Sequence, residues 1–188
     1  MTSVAVAPKP TEKQLEKYRE WNVDFDWYEN TYEDFTTAMK LKGVSVNEIY
    51  FSGFWSQGDG ACFDGDVWDI TKLVDMNDYP TVTALLAEDG EVSASITQSG
   101  HYYHEMCTEH SFESDTFEQV RDAPTEFHES IIEALDKVLD DEIENLETEV
   151  VDTLRESMRT LYKSLQTEYE HRTSDEQVTE AILEFDLD

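Results

Sequence analysis

His101, His104, Cys107 and His110 form the one closely spaced group of imidazoles and thiols in the chain, at a strict interval of three. Zinc takes four ligands converging as a tetrahedron. A strand sends alternate side chains to opposite faces, so His101 and Cys107 would point one way and His104 and His110 the other. On a helix an interval of three drifts around the axis, and again all four fail to converge. A metal-dependent activity around His101, His104 and Cys107 is therefore only an alternative reading. The main reading expects no metal, no cofactor and no enzyme. Cys62 and Cys107 would need His101 or His104 close in space before either could serve as a nucleophile. Asp59, Asp64, Asp66 and Asp69 invite calcium, but an EF-hand count begun at Asp64 meets Trp68 at position five and Asp69 at the position reserved for glycine. Gly58-Asp59-Gly60 is followed by no helix carrying Lys and Ser or Thr, so it is not a phosphate-cradling loop. Turn chemistry accounts for it better.

The series that stands out is carboxylic. Glu126, Glu129, Glu133, Asp136, Asp140, Asp141, Glu144 and Glu147 recur largely at steps of three and four, and within residues 126–152 only Lys137 offsets the acids there. On a helix such steps place neighbours about 5–6 Å apart along one stripe. Duplex DNA carries one phosphate per about 3.4 Å of axis on each strand, so a stripe of this kind can imitate it. The alternative is a solvated helix face.

The elements that must position these residues read as follows. Residues 1–10 are a proline-bearing lead expected to be disordered. Thr11 opens a helix, with Gln14 completing a capping box. From about Asp26 a second helical pattern (Trp27, Tyr28, Tyr32, Phe35, Met39) runs to Gly43, whose freedom at positive φ suits a helix end. The period then falls to two. Val44 to Trp55 and Ala61 to Trp68 flank a Gly-Asp-Gly turn and predict a hairpin. Pro80 to Ala87 reads as a short helix. Glu91 to Gln98, with Val92, Ala94 and Ile96 on one face, and His101 to Phe112 predict a second antiparallel pair. Between Thr125 and Asp188 there is neither Gly nor Pro, and apolar residues from Phe127 to Tyr169 alternate steps of three and four. That is an amphipathic helix of some 45 residues, about 65 Å long at about 1.5 Å per residue. If it breaks into a helical hairpin, Asp140-Asp141 and Asn145 are the expected place. Thr173-Ser174-Asp175-Glu176 reads as the capping box of a last short helix, Asp175 to Leu183. The fold class is α+β in a single domain over 11–188: helical over 11–43, a β-meander of about four strands over 44–115, and an acidic helical region over 124–188. Trp21, Trp27, Trp55 and Trp68, with Tyr50, Phe51 and Phe54, are assigned to the core between helices and sheet, the alternative for any left exposed being an anchor at an interface. An exposed stripe on residues 127–169 would allow a homodimer.

Composition narrows the function. In 188 residues there are 44 acids and 13 bases, a net of -31 at pH 7, yet 39% of residues are hydrophobic and 12% aromatic. Disordered acidic tails lack such aromatics, so a core is expected. Residues 101–188 carry 26 acids against 6 bases, and thus -20 of the net charge. Direct nucleic-acid binding is disfavoured, because phosphate contacts need Lys and Arg. An anionic membrane is disfavoured for the same reason. No run approaches the roughly 18 apolar residues of a transmembrane helix, no secretory leader is expected, and two distant cysteines fit a reducing cytoplasm. The charge has three candidate causes: a salt-adapted surface, a basic partner, or drift in a charged helical face.

Several segments taken in order carry a resemblance: Asp26 to Phe35, Ile49 to Phe63, Gly100 to Glu105, and Leu161 to Glu170 followed by Thr173 to Glu176. Together they resemble a family of bacteriophage and bacterial mobile-element proteins, some of them labelled antitoxins of toxin–antitoxin systems. Ser52-Gly53-Phe54-Trp55-Ser56-Gln57-Gly58-Asp59-Gly60-Ala61 is the most specific part. The resemblance supplies no catalytic residue and no ligand. It implies a product acting in the cytoplasm of a bacterial host. With the charge, it leads to the expectation of an inhibitor of a host protein, acting as a DNA mimic in a basic groove. The alternative of the same class is an antitoxin or other neutralising partner held by a hydrophobic interface.

Overall fold

The computed structural model describes residues 9–87, 90–114 and 129–187. The expected lead before residue 9, residues 115–128 and hence Glu126 and Phe127 lie outside them. Five α-helices and four strands are present among the described residues: α1 (Glu12–Trp21), α2 (Glu29–Leu41), β1 (Val44–Ser52), β2 (Gly60–Val67), α3 (Pro80–Leu86), β3 (Val92–Gln98), β4 (Thr108–Ser114), α4 (Glu129–Arg172) and α5 (Asp175–Glu184). The strands form one antiparallel sheet in the order β1-β2-β3-β4. The class is α+β, as the change of period predicts. No helix among the described residues is long and apolar enough to cross a membrane.

The chain divides into two compact units, residues 34–162 and residues 1–33 with 163–188. The first holds the sheet. Its register aligns Val44, Val46, Ile49 and Phe51 with Val67, Gly65, Phe63 and Ala61, and then Gly65 and Val67 with Ile96 and Ala94. A bulge at Asn47 absorbs the one break in this pairing. Alternation therefore gathers Val44, Val46, Ile49, Phe63, Val67, Ala94 and Ile96 on one face, where they share a core with Met39, Val82, Leu139, Leu146, Val150, Leu154 and Met158. Polar residues such as Ser45, Glu48, Asp64, Asp66, Ser95 and Thr97 occupy the other. Gly43 ends α2 at φ 78, and any Cβ there would stand 2.2 Å from the Asp69 carbonyl. Only glycine fits.

The second unit joins α1 to α5 through Tyr18, Val178 and Ile182. Asn22 Nδ2 donates to the Arg172 carbonyl at 2.7 Å, and Arg19 pairs with Asp175. Trp27 is buried and meets Tyr169 edge-on at 5.6 Å. The Thr11–Gln14 capping box is formed as expected, with Thr11 N to Gln14 Oε1 at 2.9 Å.

Three expectations change, and one pair of alternatives is decided. The strand expected from His101 begins at Thr108, because Ser99 N bonds the Cys107 carbonyl at 2.8 Å and closes residues 99–107 as a loop. The last helix begins at Asp175 as expected, but its cap is Ser174, which accepts from Gln177 N at 3.3 Å, in place of the Thr173–Glu176 box. Of the two forms expected for the acidic region, the single helix is found: α4 is continuous over 44 residues. Where a break was expected, Asn145 Nδ2 donates back to the Asp141 carbonyl at 2.7 Å, within the unbroken helix. Finally, only Trp27 of the four tryptophans is in the core, whereas Trp21, Trp55 and Trp68 are 41%, 69% and 55% exposed.

Candidate functional site

The carboxylates of α4 sort into two flanks of its buried seam. Helical geometry sets Glu133, Asp136, Asp140, Glu144 and Glu147 along one flank, with Asp141 about 100° further round from Asp140. Glu133, Asp140, Asp141 and Glu144 are exposed, and none forms an ion pair or side-chain hydrogen bond with a described residue. Asp136 is half-buried, and one of its oxygens is covered without a hydrogen-bond partner. Glu147 is engaged: His110 Nε2 of β4 lies 3.2 Å from its Oε1. Glu129 opens the helix. The structure thus keeps five of the predicted carboxylates (Glu133, Asp136, Asp140, Asp141, Glu144) as an unneutralised surface and draws Glu147 into a contact with the sheet. Glu133 to Glu144 spans about 16 Å at about 1.5 Å per residue.

The other flank does structural work that the sequence alone hides. The Glu142 carboxylate accepts from Thr81 N at 2.9 Å, Thr81 Oγ1 at 2.7 Å and Val82 N at 3.0 Å, satisfying the start of α3. Tyr79 Oη donates to Glu149, and burial, the bond and its charge hold the Tyr79 phenol protonated well above its usual range. Glu142 and Glu149, with Asp78, Asp152, Glu156 and Arg159, line an open cleft of about 840 Å³.

The histidines do not come together. His101 sits edge-on to Tyr102 at 5.1 Å, His104 Nδ1 accepts from Met106 N at 3.2 Å, and His110 stands on β4 beside Glu147. Among the described residues, no three His, Cys, Asp or Glu side chains are placed to hold a metal ion. The aspartates of the hairpin also have separate partners. Asp59 accepts from Ser56 N at 2.7 Å, Asp64 from Gln98 N at 2.6 Å, and Asp66 from Asn47 Nδ2 at 2.9 Å. Asp69 binds Lys72 and Thr71, which hold its carboxyl below the usual range.

A family sequence profile, described as a domain of unknown function (DUF8835), matches residues 27–175. The chain belongs to the DUF8835 family. Its matched region takes in the whole sheet and all of α4. No curated protein and no solved structure matches the chain.

Proposed function

We propose that this member of the DUF8835 family is an acidic binding protein that inhibits a nucleic-acid-binding protein by occupying its basic groove. One observation carries the reading. On the continuous helix α4, Glu133, Asp136, Asp140, Asp141 and Glu144 lie within three turns, and no described cation neutralises them. A rigid rod bearing carboxylates about 5–6 Å apart presents a groove with the spaced negative charge that it meets on a nucleic-acid backbone. Self-repulsion along this surface opposes folding, and a cationic partner relieves it. The resemblance to bacteriophage and mobile-element proteins supports a partner in a bacterial host.

Immobilised protein in bacterial lysate tests the reading. A nucleic-acid-binding protein should be retained, released by excess duplex DNA and released by salt. Retention of proteins indifferent to both, or identical retention by a chain with these five carboxylates changed to amides, would overturn it.

A further inference from the structure

β1 lies at one margin of the sheet, and β2 is the only described element that runs alongside it. Over residues 44–50 the main-chain groups of its other edge make no hydrogen bond to a described residue. Such an edge can take up a further strand, and sheets commonly blunt it with short length, Pro or Lys. β1 is nine residues long and contains neither Pro nor Lys. Its one irregularity is the bulge at Asn47, and from Glu48 the pairing with β2 runs regularly to Ser52. On the core face the apolar layer runs out beneath this edge. Phe63 and Val67 of β2 are buried, whereas Val46 and Ile49 of β1, packed on the same core, are only half-buried, although Ile49 stands directly opposite Phe63. A strand laid beside β1 would cover both.

The opposite face says which strand fits. There Glu48 stands across from Asp64, and Ser45 from Asp66. Tyr50 Oη donates to Asp64 at 3.1 Å and Asn47 Nδ2 to Asp66 at 2.9 Å, but no described cation pairs with Glu48, Asp64 or Asp66. By contrast Glu105, in the loop whose Tyr103 stacks on Tyr50, is already met by Arg159. Lys42 precedes Gly43 and lies outside the strand. A second copy pairing through the same edge would add its own Glu48 to this row, on a chain of net charge -31, so like charge opposes it. We infer that the open edge of β1 is a docking site for an extended segment of a partner protein, apolar on the side that covers Val46 and Ile49 and bearing Lys or Arg on the side beside Glu48. Main-chain bonds to β1 hold such a segment as a fifth strand, and its alternate side chains give the selectivity. The site stands on the sheet, and not on the carboxylate row of α4.

Amide hydrogen exchange of the full chain with the decapeptide (Lys-Val)5 tests this. At saturating peptide, exchange should slow at amides between Val46 and Tyr50. The decapeptide (Lys-Pro)5 has the same charge but cannot form a ladder, and should bind about tenfold more weakly or worse, with no protection of β1. Glu48→Lys should keep the parent's circular dichroism and weaken (Lys-Val)5 by about threefold or more. Glu48→Gln, the milder change, should weaken it less and in the same direction. Changing Glu133, Asp136, Asp140, Asp141 and Glu144 to amides should leave the protection of β1 in place, which separates this edge from α4. Unchanged exchange in β1, equal affinity for the two peptides, or unchanged affinity in the Glu48 variants overturns the inference. Protection of β1 that grows with protein concentration alone also overturns it, since the occupant is then a second copy.

Discussion

Cys62 is fully buried in β2, and burial together with Asp64 and Cys107 pushes its thiol from 9.0 up to about 12. Burial, with Tyr28 beside it, likewise raises the Tyr32 phenol from 10.0 to about 12. The folded chain keeps both protons where the unfolded chain releases them. Their effect on stability is therefore absent below about pH 9, and stability falls as pH rises from there toward 12. Denaturant midpoints measured from pH 8 to 11 should decline across that range. Native Cys62 should also resist thiol reagents at pH 8, leaving half-buried Cys107 to react. A Cys107→Ser chain that labels quickly without denaturant would contradict this. The same contrast between engaged and free groups applies to the acids of α4. Glu142→Ala strands two amides at the start of α3 and should cost about 2 kcal/mol in urea unfolding. Asp140→Asn, two residues away and without a side-chain hydrogen bond or ion pair to any described residue, should change stability by less than about 0.5 kcal/mol.

At the scale of the element, α4 combines a buried seam with an unneutralised flank, and the two can be altered separately. Replacing Glu133, Asp136, Asp140, Asp141 and Glu144 by their amides removes like-charge neighbours that cost a few tenths of a kcal/mol each, about 0.2–0.5. Circular dichroism should show the same helicity, with a melting temperature equal to or above the parent's; lost helicity would mean that the acids help fold the helix. Much of this architecture is legible in the sequence. Val92, Ala94 and Ile96 alternate because one sheet face is buried, Gly43 needs positive φ, and the apolar steps of three and four through Met158 trace the seam. What stays hidden depends on contacts across long sequence distances. Glu142 reads like Asp140, yet Thr81, 61 residues away, engages it. His101 reads as strand until the Ser99–Cys107 bond closes the loop, and Trp55 reads as core although the turn after β1 holds it outward. Acid content reveals that α4 is charged; only packing reveals which carboxylates remain available.

At the scale of the molecule, a net charge of -31 on 188 residues makes self-repulsion a global property. The screening length falls from about 10 Å at 0.1 M salt to about 3 Å at 1 M, so added salt should raise the melting temperature. A melting temperature that is flat or falling over that range would mean that repulsion is not a main term. Under the proposed function, salt should act in the opposite sense on association with a basic groove, because the charges that oppose folding would be those that attract the partner. The most direct test of the central claim is a calorimetric titration of the partner retained from lysate. It compares the parent chain with the five-amide variant of α4 at low and high salt. The account predicts binding weakened more than tenfold, at least about 1.4 kcal/mol, with the larger deficit at low salt. Equal affinity of the two chains at both salt concentrations would contradict it.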